Sequence, residues 1–360
     1  MLQGVLGWHI VGLMASPDGT IDRAVAAYST LEPGLHGVTA EAISTLTALL
    51  DDAGINYLTV TGRTKTPASF AAKARRYEGR EGSVDPLRAI TDQVGTRIIT
   101  YVRDDVRTVA DLLSEHFTVL EDRDMGQETA SEGRFGYSSR HLLLSTEPLG
   151  PDGELPAYDP RHCFSVQLRT VLQHAWAEFE HDVRYKGTIP PEQVPDLDRR
   201  FTLAAGLLEL ADNEFTTIRD RLQAGLSGGT VPHDADDPRI SPQELATFLA
   251  GRYSSAGWSR TEHYEWIAQL LLEAGIDSLD ELSAVLADVD NMVVTAAMGY
   301  KYPPGAVRRL DDDLLVSLGE RYVALSGNER RREPLRVRLA KVHEDARTQE
   351  DGAEDGGRDG

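Results

Sequence analysis

Apolar residues recur along this chain in two rhythms, and the points where the rhythm changes mark its elements. In Ser165–Lys186 (SVQLRTVLQHAWAEFEHDVRYK) both occur in succession. Phe164, Val166 and Leu168 fall on one side of a strand, and Ser165, Gln167 and Arg169 on the other. Beyond it the period becomes helical, with Leu172, Trp176, Phe179 and Val183 on one stripe and His174, Glu178, His181 and Tyr185 opposite. A strand and a helix that each set polar groups apart from a core side predict two walls of a site.

Upstream, residues 20–53 read as helical through Val25, Ala26, Leu46, Leu49 and Leu50, with a break at Pro33-Gly34. Asn56–Thr61 alternates as a strand and delivers the run GRTKTPASFAAKARR, where Pro67 suits the first turn of a helix carrying Ser69 through Arg76. Thr96–Val102 predicts a strand, Asp105–Phe117 a helix and Thr118–Glu121 a short strand. A polar loop, Asp122–Gly136, leads into the strand Tyr137–Ser145, and a Pro/Gly/Asp-rich connector, Glu147–Pro160, follows. Strands alternating with helices predict an α/β domain. Helical periodicity resumes from Leu197 to Leu222, Gly225–Pro238 is a linker by composition, and SPQELATFLAGRY opens with an N-cap pattern. Further helices are expected near Thr261–Ala274, Ser278–Ala287 and Pro334–Asp345. The expected division is an N-terminal helical segment (1–54), a core (55–190), a helical extension (191–228), a linker (229–238), a C-terminal all-helical domain (239–345) and a disordered acidic tail (346–360).

Composition narrows the function classes. No apolar run reaches the length of a membrane span, and MLQGVLGWHIVGLM lacks the basic start and A-x-A site of a signal peptide. The lone cysteine, Cys163, suits a reducing compartment. A net charge of −21, part of it in the terminal EDGAEDGGRDG, argues against broad nucleic-acid binding, which depends on Lys and Arg neutralising phosphates. The expectation is a soluble, acidic, cytoplasmic protein.

Four clusters carry candidate chemistry. Arg63, Lys65 and Lys73, with Ser69 between, converge near a helix N-terminus as a polyphosphate grip would; the bland reading is a solvated basic helix start. No Walker A pattern occurs. Asp92, just before the strand TRIITYV, can hold Mg²⁺ together with substrate phosphates, or simply cap a turn. Arg97 can stack on a base or pair with phosphate, or lie on an edge. In Arg134-Phe-Gly-Tyr137-Ser-Ser139-Arg-His141, Tyr137 can stack on a nucleobase and His141 can donate to phosphate or ribose, although a core-edge tyrosine is the commoner role. Gln167 and Arg169 offer an amide and a guanidinium, and His174 a nucleotide contact. Glu178 and His181 have ligand-like spacing without further ligands, which favours structural roles.

Taken in order, GRTKTPASFAAK, DQVGTRI, GYSSRH and VQLRTVLQHAWAEFEHDVRYK resemble the RelA/SpoT-type synthetase domain of the GTP pyrophosphokinase family, over roughly residues 40–190. The resemblance implies a mixed β-sheet flanked by helices, in the nucleotidyltransferase-like superfamily. It implies transfer of the β,γ-pyrophosphate of ATP to the ribose 3′-hydroxyl of GDP or GTP, giving (p)ppGpp and AMP. By position, Arg63 and Arg97 resemble the adenine-sandwiching arginines, and Lys65, Ser69 and Lys73 the ATP-phosphate contacts. Asp92 resembles the Mg²⁺ ligand, Tyr137 the guanine-stacking tyrosine, and His141, Gln167 and His174 further acceptor positions.

Two departures accompany the match. Ser165 stands where the family has a glutamate thought to activate the 3′-hydroxyl or help hold the metal, and serine is a poor general base. Gly133, with Arg134 one place later, stands where the family has a lysine. The expected function is therefore a small-alarmone-synthetase-like pyrophosphokinase whose activity Ser165 weakens. The alternatives are a toxic synthetase acting on an adenine nucleotide or the tRNA 3′ end, and a non-catalytic nucleotide-binding regulator. Residues 239–345 would then serve homo-oligomerisation or a regulatory partner, with no membrane involved.

Overall fold

The computed structural model describes residues 18–77, 85–126, 139–186, 190, 192–226, 240–254 and 256–355. Among them the alternating segments pair into a five-stranded sheet. Strands β1 (Tyr57–Thr64), β2 (Val94–Thr100), β3 (Thr118–Asp124), β4 (Arg140–Ser145) and β5 (Cys163–Thr170) lie in the order β1-β2-β5-β4-β3. β2 and β5 run parallel and every other neighbouring pair antiparallel, so the sheet is mixed. Helices α1 (Asp18–Asp52), α2 (Pro67–Ala74), the single turn α3 (Pro86–Ala89), α4 (Arg103–His116), α5 (Val171–Lys186) and α6 (Val194–Leu226) surround it.

The period-2 pattern of β5 decides which face is dry. Phe164, Val166 and Leu168 are buried with Val94, Ile98, Leu142 and Leu144 against Tyr28, Leu35, Leu46 and Leu50 of α1 and Leu112 and Leu113 of α4. Each such side chain contributes about 1.5–3 kcal/mol on leaving water. The opposite face carries Arg97, Ser165, Gln167 and Arg169, all partly accessible, with α5 packed along β5 and β2.

Several expectations change. α1 runs unbroken through Pro33, because one lost backbone donor is outweighed by the buried stripe on either side of it. β3 continues to Asp124 by pairing with β4, whose described part begins at Arg140; residues 127–138 lie outside the described residues. On α5, Trp176 is buried but Phe179 and Val183 are exposed, since α6 covers the stripe only through Phe201 and its neighbours. Most of the expected linker likewise lies outside the described residues, and the last helix reaches Asp355, into the stretch expected as a tail.

Toward the C-terminus come α7 (Pro242–Arg252), α8 (Thr261–Ala274), α9 (Leu279–Val285), α10 (Asn291–Met298), α11 (Ala306–Leu318), α12 (Glu320–Val323) and α13 (Arg332–Asp355); all but α10, which packs through Val294 and Met298 with Val342, enclose a second apolar cluster around Leu249, Ile267, Leu271, Leu310 and Leu314. It meets the tail of α1 closely. Gly305 donates to Ala53 O at 3.1 Å, and a Cβ there would stand 2.1 Å from Gly54 O, so only glycine fits. Arg308 donates to Asp52 O at 2.7 Å, satisfying a carbonyl at the negative end of the helix. No helix among the described residues is long and apolar enough to cross a membrane.

Candidate active site

The end of β1 is tied down before it reaches any site residue. Thr64 shares a buried 2.7 Å hydroxyl contact with Thr39 of α1. Lys65 donates its backbone N–H to Gln93 O at 2.8 Å and accepts at its carbonyl from Tyr28 Oη at 2.5 Å. Tyr28 in turn stacks on Phe70 at 4.2 Å. Burial, with Glu32 and Asp92 adding to it, pushes the Tyr28 phenol up to about 12, so it stays a donor. Thr66 caps α2 by accepting from Ser69 N at 3.2 Å, and Pro67 follows in the first turn. Ser69 thereby sits at the helix start, and Lys73 one turn on.

Asp92 receives both lysines. Its Oδ2 lies 2.8 Å from Lys65 Nζ and its Oδ1 3.0 Å from Lys73 Nζ. Burial would raise its pKa, but the hydrogen bonds and charges of the two lysines outweigh it and hold the carboxyl below the usual carboxylate range. The adjoining turn is fixed by Gln93, whose amide is buried and donates to Leu87 O at 2.6 Å and Ile90 O at 3.0 Å.

The second wall follows from strand register. Gly95 faces Ser165 and Arg97 faces Gln167 across the parallel pair, while His141 of β4 faces Gln167 from the other side. Ser165 Oγ donates to Val94 O at 3.3 Å. β5 turns directly into α5 through a reciprocal cap: Thr170 N donates to Gln173 Oε1 at 2.9 Å and Gln173 N to Thr170 Oγ1 at 3.1 Å. That cap sets the phase of α5. It brings His174 Nδ1 to 3.4 Å and Glu178 Oε1 to 3.0 Å from Arg97 Nη1. Since Arg97 can only donate, His174 Nδ1 accepts, and burial followed by the Arg97 charge lowers the pKa of the imidazole. Burial and Arg97 also lower Arg169.

The two walls enclose a cleft of about 430 Å³, whose lining includes Arg63, Asp92, Arg97, Ser165, Gln167, Arg169, Glu178 and His181. Lys65 and Lys73 join it through Asp92, and His174 through Arg97. Ser69 is held in the α2 cap, and His141 is bonded by Ser139 at 2.7 Å. Arg134 and Tyr137 lie outside the described residues. Two cavities of about 540 Å³ are larger, one beside Arg103, Asp122 and Arg140, the other between α1 and α8. Neither is lined by Asp92 or by the polar face of β5.

Sequence reasoning missed Tyr28 and Gln93, whose roles are bonds to distant backbone, and undervalued Glu178, although its i+4 spacing from His174 was visible. No group of three or more His, Cys, Asp or Glu able to hold a metal occurs among the described residues. A single carboxylate with two lysines fits a cation whose other ligands arrive as phosphate oxygens.

Residues 62–189 match the model of the region found in RelA/SpoT proteins. The chain is 32% identical over 169 residues to the GTP pyrophosphokinase YjbM of Bacillus subtilis (strain 168), spanning 46% of this chain and 72% of that protein. Among solved structures, small alarmone synthetase 1 from Bacillus subtilis is 27% identical, with 57% of this chain and all of that one covered and a TM-score of 0.38. The same protein bound to its product pppGpp is 29% identical, covering 56% and 97%, with a TM-score of 0.39. By the YjbM relationship and the matched region, the chain belongs to the RelA/SpoT family of pyrophosphotransferase enzymes.

Proposed function

We propose that this protein transfers the β,γ-pyrophosphate of ATP to the 3′-hydroxyl of GDP or GTP. The observation that carries the reading is the convergence of Lys65, Lys73 and Asp92 on a cleft whose far wall bears Gln167 and Arg169. Polyphosphate charge and a hydroxyl acceptor require those two kinds of wall.

In this reading Lys65, Ser69 and Lys73 bind the triphosphate, and Arg63 and Arg97 hold the adenine. Asp92 holds Mg²⁺, which neutralises charge across phosphate oxygens when bound. Gln167, Arg169, His174 and His141, with Arg134 and Tyr137, receive the acceptor nucleotide. The acceptor oxygen loses its proton and attacks the β-phosphorus. The bond from that phosphorus to the oxygen bridging to the α-phosphate breaks, and AMP departs.

The test is incubation with γ-labelled ATP and Mg²⁺ plus GDP, GTP, an adenine nucleotide or tRNA in separate reactions. Label is expected on GDP and GTP, abolished by Asp92→Ala. Transfer only to an adenine nucleotide or tRNA would reassign the acceptor, and no transfer to any of them refutes the proposal.

A further inference from the structure

The transfer proposed above needs a group to take the acceptor proton, and Ser165 is not one. Its hydroxyl donates to Val94 O at 3.3 Å and carries no charge at neutral pH. Among the described residues the cleft lining holds two carboxylates, Asp92 and Glu178. Asp92 has one lysine on each oxygen, which leaves it poorly suited to accept a proton. Glu178 differs. Oε1 alone is anchored, 3.0 Å from Arg97 and 3.7 Å from His174 Nδ1, while Oε2 has no hydrogen-bond partner among the described residues. The side chain is 58% exposed, so a substrate can reach it without displacing packing.

We infer that Glu178 is the catalytic base of this chain, supplying from α5 the carboxylate that β5 lacks at Ser165. The role rests on the proposed pyrophosphate transfer. Glu178 Oε2 takes the proton of the attacking hydroxyl as its oxygen bonds the β-phosphorus, and the electron pair of the breaking bond leaves with AMP. Arg97 fixes Oε1 and also donates to His174 Nδ1, which holds the guanidinium in place. The geometry is available because the Thr170–Gln173 cap phases α5 so that residues 174 and 178 face β2.

The experiment compares wild type, Glu178→Gln, and Glu178→Gln combined with Ser165→Glu, using labelled ATP and GDP between pH 6 and 9, with circular dichroism to verify folding. Glu178→Gln is expected to lower kcat by about 10²–10⁴-fold, with KM for ATP nearly unchanged. The second substitution is expected to restore at least a tenth of wild-type kcat. A kcat within tenfold of wild type overturns the inference. So does a raised KM for ATP at constant kcat, the signature of a residue that only positions Arg97, and so does failure of the carboxylate at 165 to rescue. Wild-type protein inert toward every nucleotide instead refutes the transfer reaction itself.

Discussion

Asp92→Asn separates what the carboxylate does for the fold from what it does for substrate. The substitution keeps the shape and removes the charge that two lysines share at 2.8 and 3.0 Å. Breaking a fully buried ion pair costs about 3–5 kcal/mol, and an exposed one about 0–1. Here Lys65 is 10% exposed but Lys73 and Asp92 are 36% and 37% exposed, so water screens much of the loss. The expected destabilisation at neutral pH is about 1–2 kcal/mol by urea denaturation. Its pH dependence has a definite sign. The folded-state pKa is depressed, so the contribution is present above the unfolded value of about 3.9 and is lost as pH falls through the lower folded value. The gap between wild type and variant therefore stays constant from pH 7 to near 4 and closes below it.

Ligand binding moves the other way. Without Asp92 both ammonium groups are free for phosphate, so in EDTA the variant is expected to bind ATP at least as tightly as wild type by calorimetry. Adding Mg²⁺ is expected to strengthen ATP binding only in the wild type. Equal strengthening in both proteins, or collapse of ATP binding by the variant in EDTA, would refute the reasoning.

Arg308→Met removes a 5%-exposed guanidinium that bonds Asp52 O and Tyr300 Oη and pairs with Asp52 and Asp312; a loss of about 3–5 kcal/mol in denaturant melts is expected. Gly54→Ala places a side chain at φ 66° and 3.1 Å from Arg308 N, and is expected to cost at least about 1–2 kcal/mol by the same measurement. Asp105 is pushed up to about 6 by burial, only partly offset by Arg219. The native state then binds this proton more tightly than the unfolded chain does, so it lowers stability as pH rises from about 4 to 6. Asp105→Asn is expected to remove that component, which urea melts at pH 4.5 and 7 will show as a flatter profile.

The elements visible in the sequence were those whose periodicity is set locally. β5 and α5 are examples, and the cap of α7 at Ser241 and Glu244 is another. α11 was not visible, because Asp311-Asp312-Asp313 reads as a surface run yet is buried. Its partners, Arg331 and Arg338 on Asp311, Arg338 on Asp312 and Arg252 on Asp313, come from elsewhere in the chain. The site divides in the same way. Lysines, Asp92 and the β5 face could be chosen by residue type, whereas Tyr28 reaches Lys65 across 37 positions and Arg97 reaches Glu178 across 81. Such contacts follow from the docking of α1 and the parallel pairing of β2 with β5, which periodicity does not specify.

The two walls of the cleft are also fixed to different degrees, and this bears on where the chain could change chemistry. On the lysine side, Lys65 is bonded at both its N–H and its carbonyl, α2 is capped, and Gln93 ties the turn of Asp92. A substitution there disturbs several constraints together. The α5 side depends on one reciprocal cap, on Thr170 Oγ1 donating to Asp212 at 2.7 Å, and on Trp176 against Phe201. Beyond Trp176 the helix exposes Phe179 and Val183, so packing no longer dictates its polar face. A carboxylate can therefore stand on the second turn of α5 without cost to the core. The base proposed at Glu178 uses that freedom, standing on a face of α5 that packing leaves open.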